Sequence, residues 1–364
     1  MDYATEVQAK LDRARALMAA QGVSALWLRT VNSVAWITGG VDVAVNTADT
    51  VGVASVVITE DRATIWTTTI EAPRLIKEDQ VEAHGFQVRA TSWEQPMPVD
   101  IGGTLGVDLA LDGAKDLGRE ISILRSTLLP VEVERVRALG GLCADAMRAA
   151  IDRVRPGMTE WEIAAALSDE TRQRQATPIV NLIATDERIY SYRHPLPTAK
   201  VMDKYAMLVL CGRKHGLVCS ITRLIHYGTL PNDLRRRMQA CAAVDAAVIA
   251  GSKPGVTLDA LFKLLQTAYA RAGFDGEWKL HHQGGTAGYS ARELLAVPGE
   301  MTPLAAGMTC AWNPSITGAK CEDTILVTDS GAPEILTAMG RWPNLMIEAE
   351  GKMVARPAIL EVVE

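Results

Sequence analysis

Hydrophobic and polar positions alternate along this chain with two periods. The first segment has a helical period: Val7, Leu11, Ala14, Leu17 and Met18 share one face, Lys10, Asp12 and Arg13 fall elsewhere, and Gly22 ends the run. Short apolar runs at 23–28, 53–58, 63–67 and 107–111 read as strands. Glu60-Asp61-Arg62 reads as the turn of a hairpin between the second and third. This alternation through about residue 127 predicts a small α/β domain. Leu128-Leu129-Pro130 breaks it, and a long helix follows over 131–154, striped by Val133, Val136, Leu139, Cys143 and Met147. Thr159 with Glu162 makes a capping box for the next helix. Two more helices are predicted at 232–250 and 258–272, and strands at 207–211, 217–225, 308–312 and 324–327. The second part is therefore α+β, with paired helices and mostly antiparallel strands.

Composition narrows the function classes. The chain has 364 residues, enough for two domains. A content of 48% hydrophobic and 22% charged residues is that of a folded globular protein rather than a disordered one. The longest apolar stretch near the middle, 205–211, falls far short of the roughly 20 residues of a membrane span. No basic region followed by an apolar run opens the chain, so no secretory leader is expected and a cytoplasmic location is. A net charge of −6 argues against a nucleic-acid surface. The six cysteines form no CxxC pair and read as reduced, buried, small apolar residues.

Candidate chemistry lies in polar residues set among apolar strands. These are Tyr192-Arg193-His194-Pro195, Ser220-Ile221-Thr222-Arg223, His281-His282-Gln283-Gly284-Gly285, Trp312-Asn313-Pro314 and Lys320-Cys321-Glu322-Asp323-Thr324. Charges buried in strands are costly unless they pair or line a cleft. A structural ion pair, such as Arg223 with Glu322, is one reading of the set and an active site is the other. The glycines from Gly284 to Gly288 lack the Lys-Ser/Thr of a phosphate loop.

The order of these pieces resembles the pita-bread superfamily of prolidase, aminopeptidase P, methionine aminopeptidase and creatinase. The resemblance rests on several stretches taken in order. Leu129-Pro130 stands with Glu132, Glu134 and Arg135, and Arg155-Pro156-Gly157-Met158-Thr159-Glu160 follows. His194 comes ahead of Pro197-Thr198, and Gly216 precedes Ser220-Ile221-Thr222-Arg223. The run from His281 to Gly288, and Glu322-Asp323-Thr324 with Val327-Thr328, complete it. It implies an N-terminal creatinase-like α/β domain over 1–127 and a pita-bread domain over 128–364. It also implies a homodimer in which Arg29 or the Asn46 region reaches the partner's site.

The peptidases of that superfamily hold two metal ions with two aspartates, a histidine and two glutamates. The matching positions here are Leu210 or Cys211, then Ser220, Gly285, Asn313 and Glu322, and a later active-site histidine is matched by Arg292, beside Glu293. One carboxylate with an amide and a hydroxyl is a poor ligand set for a dinuclear centre, so no metal and no cofactor is expected. Strand alternation turns Cys219 and Cys321 away from the cleft if Ser220 and Glu322 face it, which leaves Cys211 as the one cysteine that could take part.

Three functions compete. The first is a metal-independent hydrolase acting on a C–N bond of a small carboxylate-bearing substrate, as creatinase acts. His194 would be general base or acid, Glu322 would orient the substrate, and Arg223 and Arg292 would clamp a carboxylate or stabilise developing charge. Tyr192, Ser220, His281, His282, Glu293, Trp312 and Asn313 would line the substrate site, with Trp312 equally readable as core. The second is a non-catalytic binding module. The third is a metal-dependent Xaa-Pro dipeptidase or aminopeptidase P. In each case the expected partner is a small molecule or short peptide, with no nucleic acid and no membrane.

Overall fold

A computed structural model describes residues 2–95 and 103–363, and the chain divides into two compact units. The first comprises Met1–Val131 with His215–Leu217, and the second Glu132–Lys214 with Val218–Glu364. In the first unit a six-stranded mixed sheet has the order Gln87–Thr91, Ala63–Thr68, Val51–Ile58, Ala25–Thr30, Leu105–Val107, Lys115–Asp116. The hairpin around Glu60-Asp61-Arg62 is present, with Ser55 to Ile58 paired antiparallel to Trp66 to Ala63. The helix Tyr3–Gln21 ends on Gly22, whose left-handed backbone (φ 66°) lets its N–H close the last turn onto Met18 and Ala19. The strand expected over 107–111 is shorter and earlier, at Leu105–Val107. Asp108 is drawn out of the ladder because its carboxylate accepts hydrogen bonds from the Arg29 and Thr30 backbone and from the Thr30 hydroxyl.

In the second unit, the helix Pro130–Ile151 buries Val136, Leu139, Cys143 and Met147, the stripe read from the sequence. Val133, also placed on that stripe, lies off its buried face. Gly140 lies on the buried face because the backbone carbonyl of Leu336 sits 2.4 Å from where a Cβ would stand. Thr159 and Glu162 form the capping box reciprocally. The helices Asn232–Gly251 and Leu258–Arg271 pack together, close to their expected bounds.

Two sheets follow, the first packed on the helix Glu160–Gln173 and the second touching Asn232–Gly251 through Thr309–Trp312. One has the order Leu360–Val362, Leu217–Tyr227, Tyr205–Lys214, Thr177–Thr185. The other runs Leu294–Leu295, Gly284–Ala287, Thr309–Trp312, Asp323–Leu326, Glu334–Ile335. They meet where Thr222 pairs with Glu322, and the Thr324 hydroxyl bonds both the N–H and the carbonyl of Ser220. Leu217–Tyr227 is buried along nearly its whole length, so side chains on both of its faces end in the interior. The strand Thr177–Thr185 and the three strands after residue 343 were not expected from the sequence.

Candidate active site

The junction of the two sheets carries the buried polar groups. Ser220 and Thr222 alternate onto one face of Leu217–Tyr227, and Glu322 faces them just ahead of Asp323–Leu326. Three donors engage the Glu322 carboxylate. Arg292 Nη2 donates to Oε1 at 3.0 Å, while Lys320 Nζ at 2.9 Å and the Thr222 hydroxyl at 2.6 Å engage Oε2. Burial raises the pKa of this carboxyl, but Lys320, Arg292 and the Thr222 hydroxyl outweigh burial and hold it at about 2. Arg292 also reaches the Ser220 hydroxyl at 3.3 Å, and that hydroxyl meets Cys211 Sγ at 3.2 Å. Burial first, and Glu322 next, push the Cys211 thiol up to about 11, so it stays a neutral thiol.

Beside this cluster stand three imidazoles. His194 Nε2 and His281 Nε2 are 2.9 Å apart, with the rings edge to face, and His282 lies 4.5 Å from His281 and 5.6 Å from His194 between ring centroids. One ligand atom from each falls within 4.8 Å of the others, close enough to share a metal ion. Burial is the leading cause of lowered basicity in all three. Lys320 adds to it at His281, which drops to about 2, and at His194, while Arg292 adds to it at His282, which drops to about 4. At neutral pH all three rings are therefore uncharged.

Two ion-pair clusters hold the imidazoles in place. Glu160, fully buried, accepts from the Thr185 and Thr198 backbone and hydroxyls and from Arg188, so it pins the segment that carries His194. Arg193 donates to Glu277 at 2.7 Å, and Glu277 also takes the N–H and hydroxyl of Thr317. That ties the residue before His194 to the short 3-10 helix Glu277–Leu280, which leads into His281.

Five expected site residues lie outside this cluster. Arg223 does not pair with the Glu322 carboxylate. Strand alternation sends it to the opposite face, where it donates to Asp323 at 2.9 Å and to the carbonyls of Thr222, Glu322 and Thr337. Asp323 also holds Arg356 at 2.6 Å, and Arg356 holds Asp245. This is a structural network, in which burial raises the pKa of Asp245 to about 6 against the pull of Arg356. Trp312 is core: it is completely buried, and its indole N–H donates to the Ser252 hydroxyl. Tyr192 is exposed, with the Arg188 guanidinium over its ring. Glu293 closes its own loop by accepting from the Tyr289 and Ser290 N–H groups. Asn313 is buried at the end of its strand with Oδ1 unpartnered.

His194, His281, His282, Ser220, Arg292 and Glu322 do come together. Lys320 was missed as a site residue. Its position two before Glu322 in a run otherwise read as strand was the available signal, since residues two apart share a face. Cys219 and Cys321 point away, Cys219 toward the Val136 carbonyl and Cys321 toward Cys241.

The second unit also carries the deciding sequence match. Residues 134–329 match the model of metallopeptidase family M24. The chain belongs to that family. Its pita-bread fold is shared with solved structures across nearly the whole chain. The prolidase of Pyrococcus horikoshii OT3 superposes with a TM-score of 0.77 at 20% identity, covering 92% of this chain and 99% of that one. The N-terminal domain of the FACT subunit SPT16 from chickpea superposes at 0.71 and 11% identity, covering 93% and 97%.

Among sequence relatives, an Xaa-Pro dipeptidase of Lactobacillus helveticus is 25% identical over 59% of this chain and 61% of its own length. The agropine synthesis cyclase of Rhizobium rhizogenes is 25% identical over 53% and 54%. The matched region thus spans 54% to 66% of the length of the curated relatives.

The family's dinuclear metal centre does not fit the residues of this M24 chain. Both oxygens of Glu322 are already taken by Lys320, Arg292 and Thr222. Cys211 is held as a thiol on Ser220, and Ser220 is a hydroxyl. Gly285 cannot be exchanged for a ligand residue in place, since a Cβ there would lie 2.0 Å from the Leu294 carbonyl.

Proposed function

We propose that this M24 protein hydrolyses a C–N bond in a small carboxylate-bearing substrate without the dinuclear metal centre of its peptidase relatives. The observation that carries the reading is the Lys320–Glu322–Arg292 cluster set beside the neutral His194–His281 pair. The two cations are held by one carboxylate, so the cluster keeps a net positive charge next to an uncharged base. His194, the more exposed imidazole, takes a proton from water as the oxygen adds to the substrate's carbonyl or amidine carbon, and later gives it to the leaving nitrogen. His281 accepts or donates at His194 Nε2 according to tautomer and keeps the ring oriented. Lys320 and Arg292 stabilise the negative charge that develops on the attacked group or hold the substrate carboxylate. Glu322 fixes both cations. The ring-closing reaction named for the Rhizobium rhizogenes relative supports a scaffold whose chemistry extends beyond peptides.

A second reading, a non-catalytic binding module, draws support from the commitment of both Glu322 oxygens to protein donors. One experiment separates these readings from a metal-dependent Xaa-Pro dipeptidase. Protein stripped of metal, with its metal content measured, is offered N-acyl and amidino carboxylates and Xaa-Pro dipeptides, and products are followed by NMR. Turnover by metal-free protein that His194→Ala abolishes supports the proposal. Turnover only after adding manganese or cobalt overturns it in favour of the dipeptidase. Absence of turnover in both states favours the binding module.

A further inference from the structure

We propose that His194, His281 and His282 form a binding site for one transition-metal ion, separate from the family's dinuclear positions, and that a bound ion withdraws His194 from proton transfer. The second half rests on the function proposed above, whereas the first half stands without it.

The geometry comes first. Three imidazole nitrogens lie within 4.8 Å of one another, and a small rotation of the rings brings them inside the roughly 4.2 Å that two nitrogens on one ion can span at bond lengths of about 2.1 Å. Two of the rings come from adjacent residues behind the helix Glu277–Leu280, and the third is tied to that helix through Arg193 and Glu277. The ligands are thus held by the fold before any ion arrives. His281 is only 9% exposed, and the Nδ1 atoms of His281 and His282 are buried without hydrogen-bond partners. Buried polar atoms left unpaired are costly, and a cation shared among the rings is one way to engage ring nitrogens that protein groups do not. His194 and His282 reach solvent, which provides the entry path.

The chemistry selects the ion. Neutral imidazoles suit zinc, copper, nickel and cobalt, whereas magnesium, calcium and manganese need oxygen ligands. The carboxylate whose charge bears on all three rings, Glu322, is committed to Lys320, Arg292 and Thr222. Those two cations also oppose a third positive charge and are only half offset by Glu322. The site is therefore weaker than a closed structural zinc site and exchanges its ion.

The test needs no substrate. Tag-free protein stripped of metal is titrated with cobalt(II) alone, read by its visible ligand-field absorption, and zinc is then used to displace it. The expected result is one ion per chain, with affinity falling at least about tenfold in both His281→Ala and His282→Gln. Circular dichroism confirms that the variants fold, and if His281→Ala does not, His282→Gln carries the comparison. No saturable binding, or binding unchanged by the variants, overturns the site. In a parallel arm the protein is treated with diethyl pyrocarbonate, and modification of His194 is followed by peptide mass spectrometry. Zinc should slow that modification about as strongly as it displaces cobalt. Unprotected His194 with zinc bound overturns the withdrawal. An ion that binds here and promotes turnover would leave the site standing and sink the metal-independent function instead.

Discussion

Lys320→Met removes one cation from a fully buried carboxylate and leaves most of the volume filled. In the folded protein Lys320 and Glu322 are 4% and 3% exposed, so little solvent is available to replace the lost ammonium. Breaking a buried pair from one side costs about 3–5 kcal/mol. Arg292 and the Thr222 hydroxyl still hold Glu322, which places this change at the lower end, about 3 kcal/mol. For a unit of this size that is a fall in Tm of roughly 6–12 °C. Differential scanning calorimetry at pH 7 measures it. The companion is Lys320→Met with Glu322→Gln, which removes both charges and should recover a large part of the loss.

Acid titration supplies a second check on the same pair. Glu322 has a folded-state pKa of about 2 against an ordinary 4.5, so its stabilisation is complete above pH 4.5 and is lost as pH falls from 4.5 toward 2. In Lys320→Met that pKa rises, and this carboxylate's part of the acid-dependent loss should shrink. A Tm within 1–2 °C of wild type (about 0.5 kcal/mol), together with a double variant no more stable than the single, would refute the reasoning.

Three further outcomes follow from the geometry. Gly285→His should fail to restore metal binding and should destabilise by at least about 1–3 kcal/mol, because its Cβ must displace the Leu294 carbonyl; stoichiometric manganese in a stable variant would contradict this. If His194 is the base, kcat/KM should fall on acidification with a midpoint below 6.5 and be flat above it, since burial and Lys320 keep the ring neutral; a midpoint above 6.5 would exclude it. Trp312→Phe should lower stability by about 1–3 kcal/mol through the lost Ser252 hydrogen bond and lost packing while leaving ligand affinity unchanged, and a selective loss of affinity would return Trp312 to the site.

The fold was legible where period and punctuation agree. Gly22, the Thr159–Glu162 box and the stripe on Pro130–Ile151 each combine a spacing with a stop or start signal. Leu105–Val107 was misplaced because its apolar run continues to Leu111, and only the long-range bonds of Asp108 to Arg29 and Thr30 end it. In the site, sequence order brought His194, His281 and Glu322 into one group. It assigned Arg223 to that group as well, although the alternation used to turn Cys219 away also turns Arg223, which has the same parity as Cys219. Lys320 is the converse case: it has the parity of Glu322, but an unpaired lysine looks like a surface residue until the fold buries it. The convergence of His282 with His194 depends on the Arg193–Glu277 tether, a contact between residues 84 positions apart that no local pattern carries.

The alternation of Glu322 and Asp323 has one more consequence, for how such a protein can change. Thr222 and Glu322 face the imidazole side, whereas Arg223 and Asp323 face the network that ends at Arg356 and Asp245. The two networks share main chain but no side chain. Charged partners on the first face can therefore be exchanged together, as in the Lys320–Glu322 double variant, while the second keeps the sheets joined. A lineage or a designer can rewrite the chemistry here without renegotiating the architecture, and Asp323 and Arg356 mark the boundary where that freedom stops.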